Sequence, residues 1–245
     1  MPQSRAEPKP KTGYLYWSRD PAVGLFAVAP LWITYEILRL SLAPAERNGA
    51  EVLMLEGLRW LGPAAAWLAR ATVLLTVCVA AWSIHRRQVP WARVGMVSAL
   101  EGAVYGLVLG PLAALLAAST YRVLALPGPA GLPADLVGSL GAGIFEELFF
   151  RLLLLSLLAL LLTRACAAFG LPRALGVAVA VLLSALLFAL FHHLGPGAPP
   201  IEAGVFLFRA SAGLLLGGLF VLRGFSVCVF THTVYDLHYY LTHAT

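Results

Sequence analysis

Charged residues are scarce in this sequence. Only 12% of the 245 residues are Asp, Glu, Lys or Arg, which is about half the share found in an average soluble domain. Cysteines are also few, and Cys78, Cys166 and Cys228 are scattered without a CxxC pair. We interpret them as small apolar fillers, since their spacing indicates neither a disulfide framework nor a thiolate metal site. The sequence shows no internal repeat, phosphate-binding loop or nucleic-acid-binding motif, so we expect no nucleic-acid partner.

Apolar residues dominate instead. They make up 60% of the chain, whose mean hydropathy is +0.83, and runs of about 20 apolar residues recur along it. Runs that are long and continuous favour membrane-spanning helices over the alternating strands of a membrane barrel. We therefore predict an all-α fold, a polytopic transmembrane helical bundle of about seven spans, surrounded by the lipid bilayer. The predicted spans are residues 22–42, 63–84, 94–118, 137–162, 174–194, 203–222 and 225–243.

The distribution of positive charge predicts the orientation of the bundle. The formal net charge is +5, and Lys and Arg concentrate in every second connection, which the positive-inside rule assigns to the cytoplasm. Residues 1–20 are polar and basic and lack a cleavable signal sequence, so we predict a disordered basic cytoplasmic tail. The small size and the Ala, Leu and Gly richness favour an integral protein of the bacterial inner (cytoplasmic) membrane with a cytoplasmic N-terminus.

The rest of the chain divides into two predicted parts. Residues 21–136 would form the N-terminal transmembrane helices, and residues 137–243 would form a transmembrane core that contains most of the polar motifs. In the first part, residues 45–61 combine apolar residues with acidic ones. Two interpretations of this segment are open, a helix lying at the membrane surface and an ordinary connecting helix.

Two adjacent carboxylates lie in the apolar segment "GAGIFEELFFRLLLLSLLALLL", which begins at residue 141. A charged side chain at the centre of a bilayer costs about 2.5–3.5 kcal/mol or more, so such residues are candidate functional residues. Glu147 and Arg151 stand at i and i+4 and can pair on one helix face, whereas Glu146 is turned away from its neighbour by about 100°. The pattern is typical of one carboxylate held as a support and another left for chemistry. The alternative is a buried ion network.

Two later spans contribute imidazoles. In "SALLFALFHHLG", Phe188 and His192 share a helix face, and His192 is preferred over His193 as the functional residue. In "FSVCVFTHTVYDLHYYLTHAT", His232 and Asp236 also stand at i and i+4. If the three helices converge, a carboxylate can act as general base on water, and an imidazole can share the proton or bind a metal. A second imidazole can stabilise an oxyanion. The three polar groups together therefore indicate hydrolysis.

These motifs resemble those of a known family. "EELFFR" is similar to the EExxxR motif of the CPBP (CAAX protease and bacteriocin-processing) intramembrane proteases, which include the type II CAAX prenyl endopeptidases and the bacterial Abi proteins. "FALFH" resembles the FxxxH motif of that family, and "HTVYD" resembles its third motif, Hxxx followed by Asn or Asp. All three occur in the family's order, each within an apolar helix, over about residues 137–240.

The resemblance implies an enzyme, an intramembrane endopeptidase that acts on membrane-associated or lipid-anchored protein substrates. The family is described both as zinc metalloproteases and as glutamate-dependent proteases without a catalytic metal, and both mechanisms stay open. A carboxylate donates a hydrogen bond only when it is protonated, which limits the part Asp236 can take in holding an oxyanion. The implied catalytic residues are Glu146, His192, His232 and Asp236, with Glu147, Arg151 and Phe188 in support and with Glu146, His192 and His232 as the ligands of any zinc ion.

The motifs leave the substrate open. Prenyl endopeptidases cut a lipidated C-terminal tripeptide, whereas the myxosortase-like branch removes C-terminal sorting tails from exported proteins. The predicted topology places Glu146 and His192 in the outer half of the membrane, which favours exported substrates. One alternative is a non-catalytic membrane binding or immunity protein on the same scaffold. Another is an ion or proton transporter, although transporters are often built from internal repeats. The polar residues at membrane depth without an assigned role are Glu36, Arg70, Glu101 and Arg209.

Overall fold

The computed structural model of the protein describes residues 13–40, 49–118, 131–194 and 198–243. These residues are predominantly helical and contain no β-strand, which confirms the predicted all-α class. The helices, in chain order, are α1 (Tyr14–Trp17), α2 (Pro21–Arg39), α3 (Gly49–Gly57), α4 (Ala64–Arg86), α5 (Trp91–Leu116), α6 (Leu132–Gly141), α7 (Ser156–Ala168), α8 (Arg173–Phe191), α9 (Ala203–Arg223) and α10 (Phe225–His243).

Among the described residues, six helices are long and apolar enough to cross a membrane, which agrees with the predicted polytopic bundle. They are α2, α4, α5, α8, α9 and the continuous helix Pro133–Ala168, which contains most of α6 and all of α7. The seventh predicted span, residues 225–243, forms α10 in the expected place but is not one of the six. Its buried His232 and Asp236 lower its hydropathy. These groups are accommodated because α10 packs against α2, α5, α6 and α9, so that much of it faces protein.

Two glycines of α5 allow α10 to approach closely. A Cβ atom at Gly102 would lie 2.4 Å from the Cβ of Phe230, and one at Gly106 would lie 2.8 Å from the carbonyl oxygen of Thr231. Small residues of this kind let helices in a membrane pack backbone against backbone. The contact fixes the position of α10 in the bundle and, with it, the position of His232.

The start of α2 is tied to the end of α4. The backbone N–H groups of Ala22 and Val23 both donate to Oδ1 of Asp20 at 3.1 Å, so that Asp20 caps α2. Pro21 occupies the first position of the helix, where its missing N–H leaves no donor unsatisfied. Arg87, which follows α4, reaches the same carboxylate with two nitrogens at 2.5 and 3.0 Å.

The segment before α2 differs from the predicted disordered tail. Residues 1–12 lie outside the described part of the chain, but from Gly13 onward the backbone is ordered and forms α1. The reason is apolar packing: Tyr14 and Trp17 lie against a buried cluster that joins α2 to α4, and Ser18 is fully buried. The basic residues of this stretch therefore do not prevent Tyr14–Trp17 from folding against the bundle.

The segment predicted as a surface or connecting helix contains α3, and its residues 45–48 lie outside the described ones. Glu51 is buried and accepts a hydrogen bond from the Tyr35 hydroxyl of α2 at 2.5 Å. Ala50 is also buried, in a cluster with Tyr35 and Phe145. These contacts attach α3 to the bundle.

Candidate active site

The helix that carries the two glutamates is not a regular α-helix. Residues Ala142–Glu146 and Leu148–Leu155 form π-helical turns between α6 and α7, whereas a regular helix was expected. Such wider turns are frequent at functional sites. The buried hydroxyl of Ser184, on α8, donates to the Phe150 carbonyl at 2.9 Å, which satisfies a main-chain acceptor inside this irregular segment.

Glu147 contacts both Arg151 and His232 in the interior of the bundle. Its Oε1 lies 3.0 Å from Nη1 of Arg151, so the predicted pairing of these residues is observed, and both are almost completely buried, at 0% and 1% exposure. The same oxygen lies 2.7 Å from Nδ1 of His232 on α10. A carboxylate that pairs with Arg151 is an acceptor, so the imidazole donates here. The sequence did not indicate this second contact.

Glu146 faces a different imidazole. Its Oε2 lies 3.7 Å from Nε2 of His192, which is the first residue after α8. Nδ1 of His192 lies 2.8 Å from the carbonyl oxygen of Phe188 and must donate to it. Nε2 is therefore the nitrogen that faces the carboxylate. A separation of 3.7 Å is too long for a direct hydrogen bond and suits a bridge through one water molecule.

Asp236 lies on the far side of His232. Its Oδ2 is 3.7 Å from Nε2 of that ring, so the predicted i and i+4 pair shares one face of α10. The ring of His232 thus lies between two carboxylates, with Glu147 at Nδ1 and Asp236 near Nε2. This arrangement fixes the orientation of the imidazole.

Phe188 separates the polar groups and contacts most of them. Its ring centroid lies 4.8 Å from that of His192 and 6.1 Å from that of His232. The guanidinium carbon of Arg151 lies 4.3 Å from the same centroid, within cation–π range. The ring therefore stabilises the buried cation and provides an apolar wall between the two histidines.

A close contact between helices brings α10 to the π-helical segment. A Cβ atom at Gly143 would lie 2.0 Å from Oγ1 of Thr233, so only glycine fits at this position. Thr233 is the residue after His232, and the approach brings that ring within reach of Glu147. Sequence reasoning passed over both Gly143 and Thr233, because glycine is common in membrane helices and gives no chemical signal.

The histidines among the predicted zinc ligands are oriented as metal ligands would be. Both imidazoles present Nε2 while Nδ1 is hydrogen bonded, which is how zinc-binding histidines are usually held. Within the part of the chain that the structure describes, however, no three His, Cys, Asp or Glu side chains are grouped so as to hold a metal ion. Glu146, His192 and His232 therefore remain a hypothetical ligand set.

Three of the four other charged residues at membrane depth, Glu36, Arg70 and Glu101, form ion pairs away from these motifs. Glu36 of α2 lies 2.8 Å from Arg39 and 3.1 Å from Arg70. Glu101 of α5 lies 2.6 Å from Arg223. A mainly apolar cavity of about 470 Å³ between α2, α3, α4 and the π-helical segment is bordered by Glu36 and Arg70, and none of Glu146, His192, His232 and Asp236 lines it. The pairs give these charges a structural explanation, which removes the main observation in favour of a transporter.

The fold defines a polytopic helical membrane protein with a buried cluster of carboxylates and imidazoles at its core. Residues 129–238 match the family model described as "Type II CAAX prenyl endopeptidase Rce1-like". This segment covers somewhat less than half of the chain and includes all three motifs. Comparisons with curated proteins and with solved structures found no match. The C-terminal core of the chain is therefore similar to the Rce1-like CAAX prenyl endopeptidases, which are proteases, and this similarity supports the resemblance that the motifs predicted.

Proposed function

We propose that the protein is an intramembrane endopeptidase that hydrolyses peptide bonds in membrane-associated or lipid-anchored protein substrates. The observation that supports this best is the pair of Glu146 and His192, whose Oε2 and Nε2 face each other at 3.7 Å. A carboxylate and an imidazole at this separation can share and activate one water molecule. The family match over residues 129–238 supports the same class of reaction.

Glu146 is the general base in this proposal. The water between Glu146 and His192 gives a proton to the carboxylate while its oxygen forms a bond to the carbonyl carbon of the scissile peptide. Nε2 of His192 accepts a hydrogen bond from the same water, because Nδ1 is held by the Phe188 carbonyl. When the C–N bond breaks, the departing nitrogen takes the proton from Glu146. The products are a carboxylic acid and an amine, so the reaction needs no other reactant.

His232 stabilises the oxyanion of the tetrahedral intermediate. Its Nδ1 donates to Glu147 at 2.7 Å, and the imidazolium form of the ring keeps this hydrogen bond. The imidazolium has a second N–H at Nε2, which can donate to developing negative charge. Asp236, 3.7 Å from Nε2, keeps the ring in this orientation before substrate binds. Arg151 pairs with Glu147, and Phe188 packs against Arg151 and excludes water.

A comparison of protein termini tests the proposal. Membrane proteins from cells producing the wild type or Glu146→Gln at matched levels are compared by mass spectrometry of their termini. Glu56→Gln is the control, because Glu56 is exposed and pairs with Arg59 at the surface. We expect a set of C-terminal or juxtamembrane termini to vanish only in Glu146→Gln. If the termini are unchanged while deletion of the protein still has a phenotype, the alternative of a non-catalytic binding or immunity protein is supported.

The orientation of the bundle and the class of substrate are further parts of the proposal. Basic residues in alternate connections support an orientation with the N-terminus in the cytoplasm of a bacterial cell and with Glu146 and His192 in the outer half of the inner membrane. Removal of C-terminal tails from exported proteins, the myxosortase-like reaction, fits this orientation. Labelling with a membrane-impermeant thiol reagent after Arg173→Cys and Glu202→Cys tests it, because both positions are exposed. We expect labelling of intact cells only at position 202, and labelling at position 173 instead would reverse the orientation.

Zinc assistance is a separate part of the proposal. Glu146, His192 and His232 are the residues that would hold the ion, which would lower the pKa of a bound water molecule to about 7. Metal analysis of purified wild type and His232→Ala tests this directly. One zinc per wild-type chain, lost in the variant, would support the metal mechanism. An active preparation without stoichiometric zinc would leave Glu146 and His192 as the sole activators of water.

A further inference from the structure

Arg209 is a buried cation that the proposed mechanism does not use. It lies in α9 with 9% of its surface exposed. Its Nη1 lies 3.4 Å from Nε2 of His193. Among the described residues no carboxylate lies within ion-pair distance of Arg209, in contrast to the buried Arg151 beside Glu147. Burying a charge without a directly bonded counter-ion is costly, so this guanidinium requires an explanation.

The packing of α9 on α8 directs Arg209 toward the candidate active site. Gly213 lies one turn after Arg209 on the same face, and a Cβ atom there would lie 3.0 Å from the Cα of Ala185 on α8. One turn further along, a Cβ atom at Gly217 would lie 3.1 Å from Val181. The two helices are thus antiparallel in close contact. Arg209 is consequently opposite the last turn of α8, which leads to the two histidines.

Electrostatic contacts agree with this placement. Arg209 interacts electrostatically with Glu146 and with His192, the two residues proposed to activate water. The neighbouring His193 is held by its Nδ1, 3.0 Å from the carbonyl oxygen of Pro199, so that its Nε2 is directed at Arg209. A positively charged group with open hydrogen-bonding positions therefore lies beside the proposed site of hydrolysis.

We propose that Arg209, assisted by His193, binds a carboxylate of the peptide substrate next to the scissile bond. Arginine is suited to this because its planar guanidinium donates two parallel hydrogen bonds to a carboxylate. The substrate would supply a carboxylate at hydrogen-bond distance, in addition to the longer-range interaction of Arg209 with Glu146. The position next to the scissile bond rests on the function proposed for Glu146 and His192.

The carboxylate has two possible sources in a peptide. One is the α-carboxylate of a free C-terminus, which would limit cleavage to a short distance from the chain end. The other is an Asp or Glu side chain near the cut, which would permit internal cleavage. The chemistry recognised by Arg209 is the same in both, so the experiment must separate them.

Binding of synthetic peptides to the full-length protein in lipid nanodiscs tests the inference without requiring turnover. The probe is N-palmitoyl-Leu-Ala-Ala in three forms: the free acid, the C-terminal amide, and the amide with Glu in place of the central Ala. Binding is measured as the shift of the unfolding temperature with peptide concentration. We expect the free acid, or the Glu-containing amide, to bind roughly tenfold to a hundredfold more tightly than the neutral amide.

Three variants complete the experiment. Arg209→Gln should abolish the preference for the charged peptide, and Arg209→Lys, which keeps the charge, should keep part of it. Arg223→Gln is the matched control, since Arg223 is in the same helix but pairs with Glu101 at 2.6 Å. It should keep the full preference. If Arg209→Gln does not fold, a preference that is identical in Arg209→Lys and wild type at every peptide concentration would argue against bidentate recognition.

The outcomes separate this inference from the proposed function. Equal binding of all three peptides to the wild type, or a preference that persists in Arg209→Gln, would overturn the carboxylate site. Loss of the preference in Arg209→Gln supports it, whether or not cleavage is found in the comparison of termini. Cleavage without any preference for a carboxylate would support the proposed protease activity and contradict only the role of Arg209.

Discussion

The adjacent residues Glu146 and Glu147 have different neighbours, and their replacement should therefore have different effects. Glu146 faces His192 across 3.7 Å, and its amide analogue is nearly isosteric but cannot act as a base. We expect Glu146→Gln to lower the rate of hydrolysis by about 10²-fold to 10⁴-fold and to unfold at nearly the wild-type temperature. The rate at which a peptide substrate is cleaved and the thermal unfolding of the same preparation would show both effects. Retained activity would remove Glu146 from the mechanism.

Replacement of Glu147 should affect stability as well as activity. Glu147→Gln would leave the buried Arg151 without its charged partner, and breaking a buried pair from one side costs about 3–5 kcal/mol. It would also remove the acceptor for Nδ1 of His232, so we expect activity to fall too. Chemical unfolding in detergent measures the free energy of unfolding. The control Glu56→Gln breaks an exposed pair and should cost less than about 1 kcal/mol. An unchanged free energy of unfolding in Glu147→Gln would show that the buried pair does not stabilise the fold.

The residue pairs that the sequence predicted are those set by the geometry of one helix. Glu147 with Arg151, Phe188 with His192, and His232 with Asp236 all stand at i and i+4, and the structure places each pair on one face. The bond from His232 to Glu147 joins residues 85 positions apart. It depends on how closely α10 approaches the π-helical segment, and no local pattern encodes that distance.

At the scale of helices, the contact between α5 and α10 should control the alignment of the site. A Cβ atom at Gly106 would meet the carbonyl oxygen of Thr231 and the Cβ of Val234, both at 2.8 Å. Neither atom can move unless α10 shifts, and His232 shifts with it. We expect Gly106→Ala to destabilise the protein by about 1–3 kcal/mol, as overpacking usually does, and to lower activity more than tenfold. Thermal unfolding and peptide cleavage are the measurements.

Gly218→Ala is the matched control for this prediction. Gly218 also lies in a membrane helix, α9, but a Cβ atom there has nothing within 4 Å. Alanine has the higher helix propensity, by about 1 kcal/mol, so this variant should be neutral or slightly more stable. If both variants behave alike, the effect of Gly106→Ala comes from helix propensity and not from the contact with α10.

At the scale of the whole molecule, hydropathy predicted the bundle well because long apolar runs have few alternatives to membrane helices. It was less informative where burial in protein replaces burial in lipid. The polar α10 was predicted as a span like the others, yet its His232 and Asp236 are buried among neighbouring helices. The stretch around Trp17 was predicted as disordered, although its aromatic residues pack on α2 and α4. Both differences arise from tertiary contacts, which the hydropathy and composition of a sequence segment do not reveal.

The link between Asp20 and Arg87 should make the stability of the whole bundle depend on pH. Hydrogen bonds from Arg87 are the main reason that the pKa of Asp20 lies below its ordinary value of 3.8, against the opposing effect of burial. A carboxylate whose pKa is lowered by folding stabilises the protein above its unfolded pKa. That contribution is lost as the pH falls through the folded pKa.

Asp20→Asn isolates this charge pair, because Asn caps a helix about as well as Asp. We expect the variant to be less stable than the wild type by about 1 kcal/mol near neutral pH, where Arg87 pairs with the ionised carboxylate. The difference should stay constant down to about pH 5 and shrink below about pH 4, as Asp20 becomes protonated. Thermal unfolding of both proteins between pH 3 and 7 measures this. A difference that does not change with pH would show that the pair contributes through packing and not through charge.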